Sequence, residues 1–305
     1  MQHLKIRHVT TYKYPKEVTF LPHKLLLRPR EGHHVRIRTS LLRISPAHQI
    51  RWHRDVNDNS VAVVTFDEPS DKLVFSSEVI LENRDDAPLD FLIDERAVSF
   101  PFKYKKSESY DLVPFQNPSF PADAKVLEDW ITQFWEVGQS PQTYVLLDNI
   151  NKSITKQITY RVRETPGVQS PATTLKRKTG SCRDMATLFI ETCRSLGLAA
   201  RFISGYQYVR GLPMDAGSTH AWSEIYIPGA GWKGFDSTTG KLVDSNYIPI
   251  AVSPHPEAVP PISGAFSGFM RDSVGSLGHV LTMNLMTGVC KDQCFFSNYK
   301  NGYTK

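Results

Sequence analysis

The sequence predicts an α+β fold: a β-sandwich-like first region, then a mixed core with one helix-borne cysteine and an antiparallel sheet. Three observations predict it. Branched and aromatic residues crowd the first hundred positions in alternating runs, helical periods begin near Ala122, and a final helix leads into three strands in succession.

The β-rich region spans residues 1–105. LKIRHVTTYKY, HHVRIRTSLLRIS, SVAVVTF and LVFSSEVILEN read as its strands, with Pro, Asn and Asp in the gaps. Several strands imply a sheet or sandwich, because an isolated hairpin is marginal in water. Residues 106–121, proline-rich and aromatic, read as a linker or wrapping segment; exposed rings would be costly in a free spacer.

The core spans residues 122–250. Val126, Leu127, Trp130, Ile131 and Phe134 recur at helical spacing behind Asp123, a candidate N-cap. A second helix is expected over 143–152, with Tyr144, Leu147 and Ile150 on one side, followed by a strand in KSITKQITYRV. After a loop with a short helical piece, Met185, Leu188, Phe189, Thr192 and Leu196 form the apolar stripe of a helix over 183–196, which Gly197 ends. Strands at AARFISGYQYV, HAWSEIYI and GWKGFDST follow, the last two divided by the turn PGAG. Residues 251–305 read as a Pro-rich excursion, a β segment in HVLTMNLMTGV and a fraying end, NYKNGYTK.

Bulk properties exclude several classes. With 305 residues and 40% hydrophobic content the chain can bury a sizeable core. Its net charge of +5 is dispersed, which selects no nucleic-acid partner. The densest basic clusters, Lys103, Lys105 and Lys106, then Lys176, Arg177 and Lys178, read as solvated loops. No stretch reaches the about 20 apolar residues that cross a bilayer, and the polar start resembles no secretory leader, so a cytoplasmic protein without membrane contact is expected. Four cysteines do not make a disulfide-stapled miniature domain. Cys290 and Cys294 form a CxxxC pair open to three readings: plain thiols, a disulfide or a metal site.

Cys182 stands apart, at a loop that enters a helix. A thiolate there gains from the unpaired backbone N–H groups, and an imidazole nearby adds to the effect. His220 and Asp236 follow on successive strands, an order that can build nucleophile, base and orienting carboxylate. Each residue alone is as well read as structural: a buried thiol, a core-edge histidine, a turn aspartate. Together they suggest acyl transfer, in which an amide loses its amine to a thioester. The Cys182 N–H is one candidate oxyanion donor, with Gln169 and Thr173 as candidates for a second. Asp184 is expected to cap the helix or pair locally. Trp222 and Glu224 share a strand face with His220, and Trp232 can line a cleft or fill the core beside it.

GSCRDMATLFIETCRSLGLAARFISGY, THAWSEIYIPGAGW and GFDSTTG together resemble the motifs of the transglutaminase-like superfamily, particularly bacterial proteins with a β-rich region ahead of a papain-like core. LKIRHVTTYKY, HKLLLRPR and DVNDNSVAVVTF extend the resemblance into the first region. It implies Cys182 as nucleophile, His220 as catalytic histidine and Asp236 as its carboxylate. Two motifs depart from the pattern: Asp58 replaces a usual glycine before Asn59, and Arg183-Asp184-Met185 replaces Gln-Asp-Phe after the nucleophile. The family includes peptidases, amidases, crosslinking enzymes and members that have lost catalysis. Since water is the abundant acceptor, a cysteine peptidase or amidase acting on a peptide, protein or small amide is expected, with crosslinking and non-catalytic peptide binding as alternatives. No acidic calcium loop is visible, and no metal or cofactor is expected.

Overall fold

The computed structural model describes residues 2–84, 88–163, 165–208, 219–267, 283–284 and 291–298. Six strands come first: β1 (Gln2–Phe20), β2 (His23–Leu25), β3 (Val35–Ser45), β4 (His48–Arg54), β5 (Ser60–Phe66) and β6 (Ser70–Asn83). Then come α1 (Glu95–Val98), α2 (Lys106–Gln116), α3 (Ala124–Ile131), α4 (Thr143–Gln157), β7 (Thr159–Tyr160), α5 (Pro171–Arg177), β8 (Thr179–Gly180) and α6 (Cys182–Ser195). The strands β9 (Ala200–Gln207), β10 (Thr219–Ile227), β11 (Gly231–Asp236), β12 (Lys241–Leu242) and β13 (Tyr247–Ser253) form one antiparallel sheet in the order β12-β11-β10-β9-β13. Last come β14 (Ile262–Ser263), β15 (Ala265–Ser267), β16 (Met283–Asn284) and β17 (Lys291–Asn298).

Alternation builds β1. Leu4, Ile6, His8, Thr10, Tyr12 and Tyr14, every second residue, are buried. The polar pair among them is satisfied, since the His8 ring bonds the Tyr206 hydroxyl and the Thr10 hydroxyl, each at 2.9 Å. β1 belongs to a sheet ordered β16-β15-β1-β6-β3, in which β17 also pairs with β1; a second sheet runs β14-β2-β5-β4. Tyr12, Phe20, Leu25, Val64, Leu73 and Phe75 draw residues of both sheets into one apolar cluster.

The larger cluster ignores the expected division near residues 105–122. It joins Leu4, Ile6, Val61 and Leu81 of the first region to Leu147, Ile150, Met185, Phe189, Phe202 and Ile225 of the core. Described strands of the final segment pair with the first region. β14 pairs with β2, β15 and β17 pair with β1, and the expected boundary at 250 falls inside β13.

Four local expectations are corrected. The segment 106–121 is not a plain linker: it holds α2, where Glu108 Oε2 accepts the Lys105 N–H at 2.8 Å and caps the first turn. KSITKQITYRV is helical to Gln157, because Leu147, Ile150 and Ile154 are buried at helical spacing and outweigh the β-branched content; β7 keeps two residues. Asp123 precedes α3 but makes no cap bond there; its Oδ2 accepts the Ala172 N–H at 2.8 Å, at the start of α5. The strand β4, HQIRWHR, was too polar and exposed to be anticipated. Lys176 and Arg177 end α5 rather than lying in a loop.

Cys290 lies outside the described residues, as do most of HVLTMNLMTGV and residues 299–305. Cys294 falls on β17, opposite His8 in the register. No helix among the described residues is long and apolar enough to cross a membrane.

α6 carries the centre of the core. Its burial extends well beyond the predicted stripe, through Ala186, Thr187, Ile190, Glu191 and Cys193, because α3, α4, α5 and the sheet all pack against it. It ends where predicted: Gly197 has φ +80°, its N–H bonds Arg194 O at 2.8 Å, and Leu198 N–H bonds Cys193 O at 2.9 Å. That is a left-handed cap, which favours glycine.

Candidate active site

Cys182 is the first residue of α6, after Ser181 at the N-cap, and its side chain is half-buried. The turn beneath it is locked by Asp184. That fully buried carboxylate accepts the Ser181 N–H and hydroxyl at 2.8 Å, the Gln169 N–H at 2.7 Å, and two Arg163 bonds at 3.0 Å. Burial alone would raise its pKa, but the Arg163, Gln169 and Ser181 bonds hold it below the usual carboxylate range. Asp184 therefore serves as cap and ion-pair anchor, an ionised group with no proton to lend.

His220, near the start of β10, stands between Cys182 and Asp236. Its Nε2–H donates to Asp236 Oδ2 at 3.1 Å, and Cys182 is the other group that acts electrostatically on the ring. Burial favours the neutral ring, yet the Asp236 bond and the neighbouring Cys182 outweigh it and raise the imidazole pKa to about 9. Asp236 ends β11 and is fully buried. Its Oδ1 accepts the Thr238 N–H at 2.9 Å and the Thr238 hydroxyl at 2.7 Å; its Oδ2 also accepts the Thr239 and Tyr247 hydroxyls at 3.0 and 2.7 Å. Against burial, the His220 bond and these donors lower it to about 2.

Trp222, one strand repeat after His220, is buried and lies nearly parallel to the imidazole, with ring centroids 6.3 Å apart. It packs over Gly205 on β9, where an added Cβ would sit 2.3 Å from the indole and 2.4 Å from Ile248 O. Glycine is required there by space. Tyr247 closes the far side, edge-on to Trp222 with centroids 5.4 Å apart.

Glu224 and Trp232 belong to a separate cluster further along the sheet. Glu224 Oε2 accepts Arg201 Nε at 2.7 Å, and the Arg201 guanidinium lies 4.1 Å over the Trp232 ring, which also meets Phe115 and Tyr226. Gln169 is not a free donor, because its amide N–H groups go to Thr179 O at 3.0 Å and Asp184 Oδ2 at 3.3 Å. Thr173 is tied up in the cap of α5: Ser170 is the N-cap, its Oγ accepts the Thr173 N–H at 3.3 Å, and its hydroxyl donates to the Thr173 hydroxyl at 3.1 Å. Sequence reasoning missed Tyr247, Thr238 and Thr239. The two threonines stood within the quoted GFDSTTG, but Tyr247 carried no signal, since only the pairing of β13 with β9 brings it to Asp236.

Among the described residues no group of three or more His, Cys, Asp or Glu could hold a metal ion. The arrangement can transfer a proton between sulfur and imidazole while a buried carboxylate fixes the ring.

Both regions of the chain resemble known proteins. Residues 136–237 match the family model described as transglutaminase-like superfamily, and residues 4–82 match the bacterial transglutaminase-like N-terminal region. Uncharacterized proteins of Mycobacterium tuberculosis and Mycobacterium bovis are each 29% identical over 290 residues, covering 88% of this chain and 89% of the relative. The crystal structure titled as a "Putative Cysteine Protease" from Cytophaga hutchinsonii shares the fold, with a TM-score of 0.67 at 19% identity over 97% of this chain and 98% of that one.

Proposed function

The chain belongs to the transglutaminase-like superfamily, and from that premise we propose that it is a cysteine-dependent acyl-transfer enzyme that hydrolyses a peptide or isopeptide amide through a thioester. The observation that carries this reading is the line from Cys182 through the His220 ring to buried Asp236.

The Cys182 sulfur attacks the amide carbonyl carbon, and its proton resides on His220. The carbonyl oxygen gains negative charge beside the start of α6, where the Cys182 N–H can bond it. Collapse expels the amine, which takes the proton from His220 Nδ1, and leaves a thioester on Cys182. Water then attacks with the neutral imidazole as base; the acid departs and the thiol is restored. Asp236 holds Nε2–H throughout, so that Nδ1 is the nitrogen that exchanges the proton.

The test is turnover of peptide and isopeptide amides, with and without a primary amine, in wild type and Cys182→Ala. Amine release that disappears in the variant supports the reading. Full activity in Cys182→Ala would overturn it, and a stable amine adduct would redirect it to crosslinking.

A further inference from the structure

Asp236 Oδ2 has three donors, and the imidazole is the most distant of them. Tyr247 donates at 2.7 Å, Thr239 at 3.0 Å and His220 at 3.1 Å. The Tyr247 hydroxyl in turn accepts from Gln207 Nε2 at 2.8 Å, which aims its one proton at the carboxylate. Gln207 and Tyr247 are direct partners in the β9–β13 register, so strand pairing sets the relay.

We propose that Tyr247 is a positioning residue for the candidate reaction: by sharing Asp236 Oδ2 with His220, it limits how tightly the carboxylate holds the imidazolium and so keeps the ring able to release its proton. This rests on the reading of Cys182, His220 and Asp236 as catalytic. A carboxylate that spends charge on a short hydrogen bond has less to offer a second partner. Without the Tyr247 donor, Asp236 would grip His220 harder, and the imidazolium would surrender its proton to the leaving amine less readily.

The placement of Tyr247 is enforced from both sides. Its ring packs edge-on against Trp222 and lies 6.0 Å from the His220 ring, centroid to centroid. β13 is also fixed from outside. Asn59 accepts the Val252 N–H and donates to Val252 O, each at 2.8 Å; Arg30 N–H bonds Pro249 O at 2.8 Å; and the Asn83 amide bonds Ser245 O. The hydroxyl is kept protonated, because burial and the Asp236 charge raise its pKa. The other titratable groups facing this cluster are Cys182 on α6, Tyr160 on β7 and Asp244 before β13.

The experiment is an NMR titration of the His220 imidazole in labelled protein, which needs no substrate. Three forms are compared: wild type, Tyr247→Phe, and protein with 3,5-difluorotyrosine at position 247, a stronger donor of nearly the same shape. The Phe variant should move the His220 midpoint upward by about half a unit to one unit, and the fluorinated form should move it downward. Melting temperature checks that each is folded. An unchanged midpoint in folded Tyr247→Phe, or shifts of the same sign in both forms, overturns the proposal. Failure of the catalytic reading is separate, because it shows as amide turnover that survives Cys182→Ala whatever the titration gives.

Discussion

The Tyr247 hydroxyl lies closer to Asp236 Oδ2 than the His220 ring does, 2.7 Å against 3.1 Å. The candidate site is thus a four-residue hydrogen-bonded line, Gln207 to Tyr247 to Asp236 to His220, with Cys182 acting electrostatically on its last ring. Each member comes from a different strand, β9, β13, β11 and β10, and Cys182 comes from α6.

The His220–Asp236 pair makes stability depend on pH. His220 is raised to about 9, so its contribution is complete below its unfolded value of about 6.5 and is lost as pH climbs through 9. Asp236 is lowered to about 2, so its contribution is complete above about 4 and is lost as pH falls toward 2. Urea unfolding of wild type and Asp236→Asn should show the largest gap between about pH 4 and 6.5, narrowing above 9. A gap of constant width would deny the linkage.

Asp236→Asn also bears on chemistry. The amide can fix the wrong imidazole tautomer, and turnover should fall by roughly 10³-fold or more while the fold survives. Steady-state kinetics on any substrate that wild type cleaves provide the check; a loss below tenfold would remove Asp236 from the mechanism.

Gly205→Ala places a methyl against the Trp222 indole and Ile248 O. Overpacking at a backbone oxygen cannot be relieved by a rotamer change, and a cost of about 2–3 kcal/mol is expected. Chemical denaturation reads it directly, and a neutral result would mean that β9 and β13 can separate more easily than their pairing implies.

Asp184→Ala strands the Arg163 guanidinium and uncaps the helix beneath Cys182. Breaking a buried ion pair from one side typically costs about 3–5 kcal/mol. The same unfolding experiment should show it, and alkylation of Cys182 should change in rate as its turn loosens.

Asn59→Ala removes two bonds to Val252, one to Arg30 and one to Asp55. The expected loss is about 2–3 kcal/mol. Hydrogen exchange should locate it, with Val252 N–H losing protection first.

The sequence showed most of what depends on local pattern. The alternation of LKIRHVTTYKY, the stripe and glycine stop of α6, and the order of Cys182, His220 and Asp236 could all be read from neighbouring residues. What stayed hidden depends on partners far along the chain. The end of α4 looked like strand because Ile and Thr suit both, and burial against α6 decided for helix. Gln169 looked like an oxyanion donor until Asp184 and Thr179 claimed its amide. Tyr247 is separated from Asp236 by β12 and a turn, and nothing in YIPIAVS announces a hydroxyl aimed at a carboxylate.

The clamp on Val252 has a meaning beyond the site. β13 is an outer strand of its sheet, and an outer strand normally offers free N–H and C=O groups to any passing chain. Here one asparagine amide answers both groups of Val252 as a neighbouring strand would, while Arg30 occupies Pro249 O and Asn83 occupies Ser245 O. The first region thus stands where another strand could have added, and the sheet is sealed against self-association along that border. Cutting the chain down to its mixed core would reopen that border, so the shortened protein should tend to aggregate as well as lose stability.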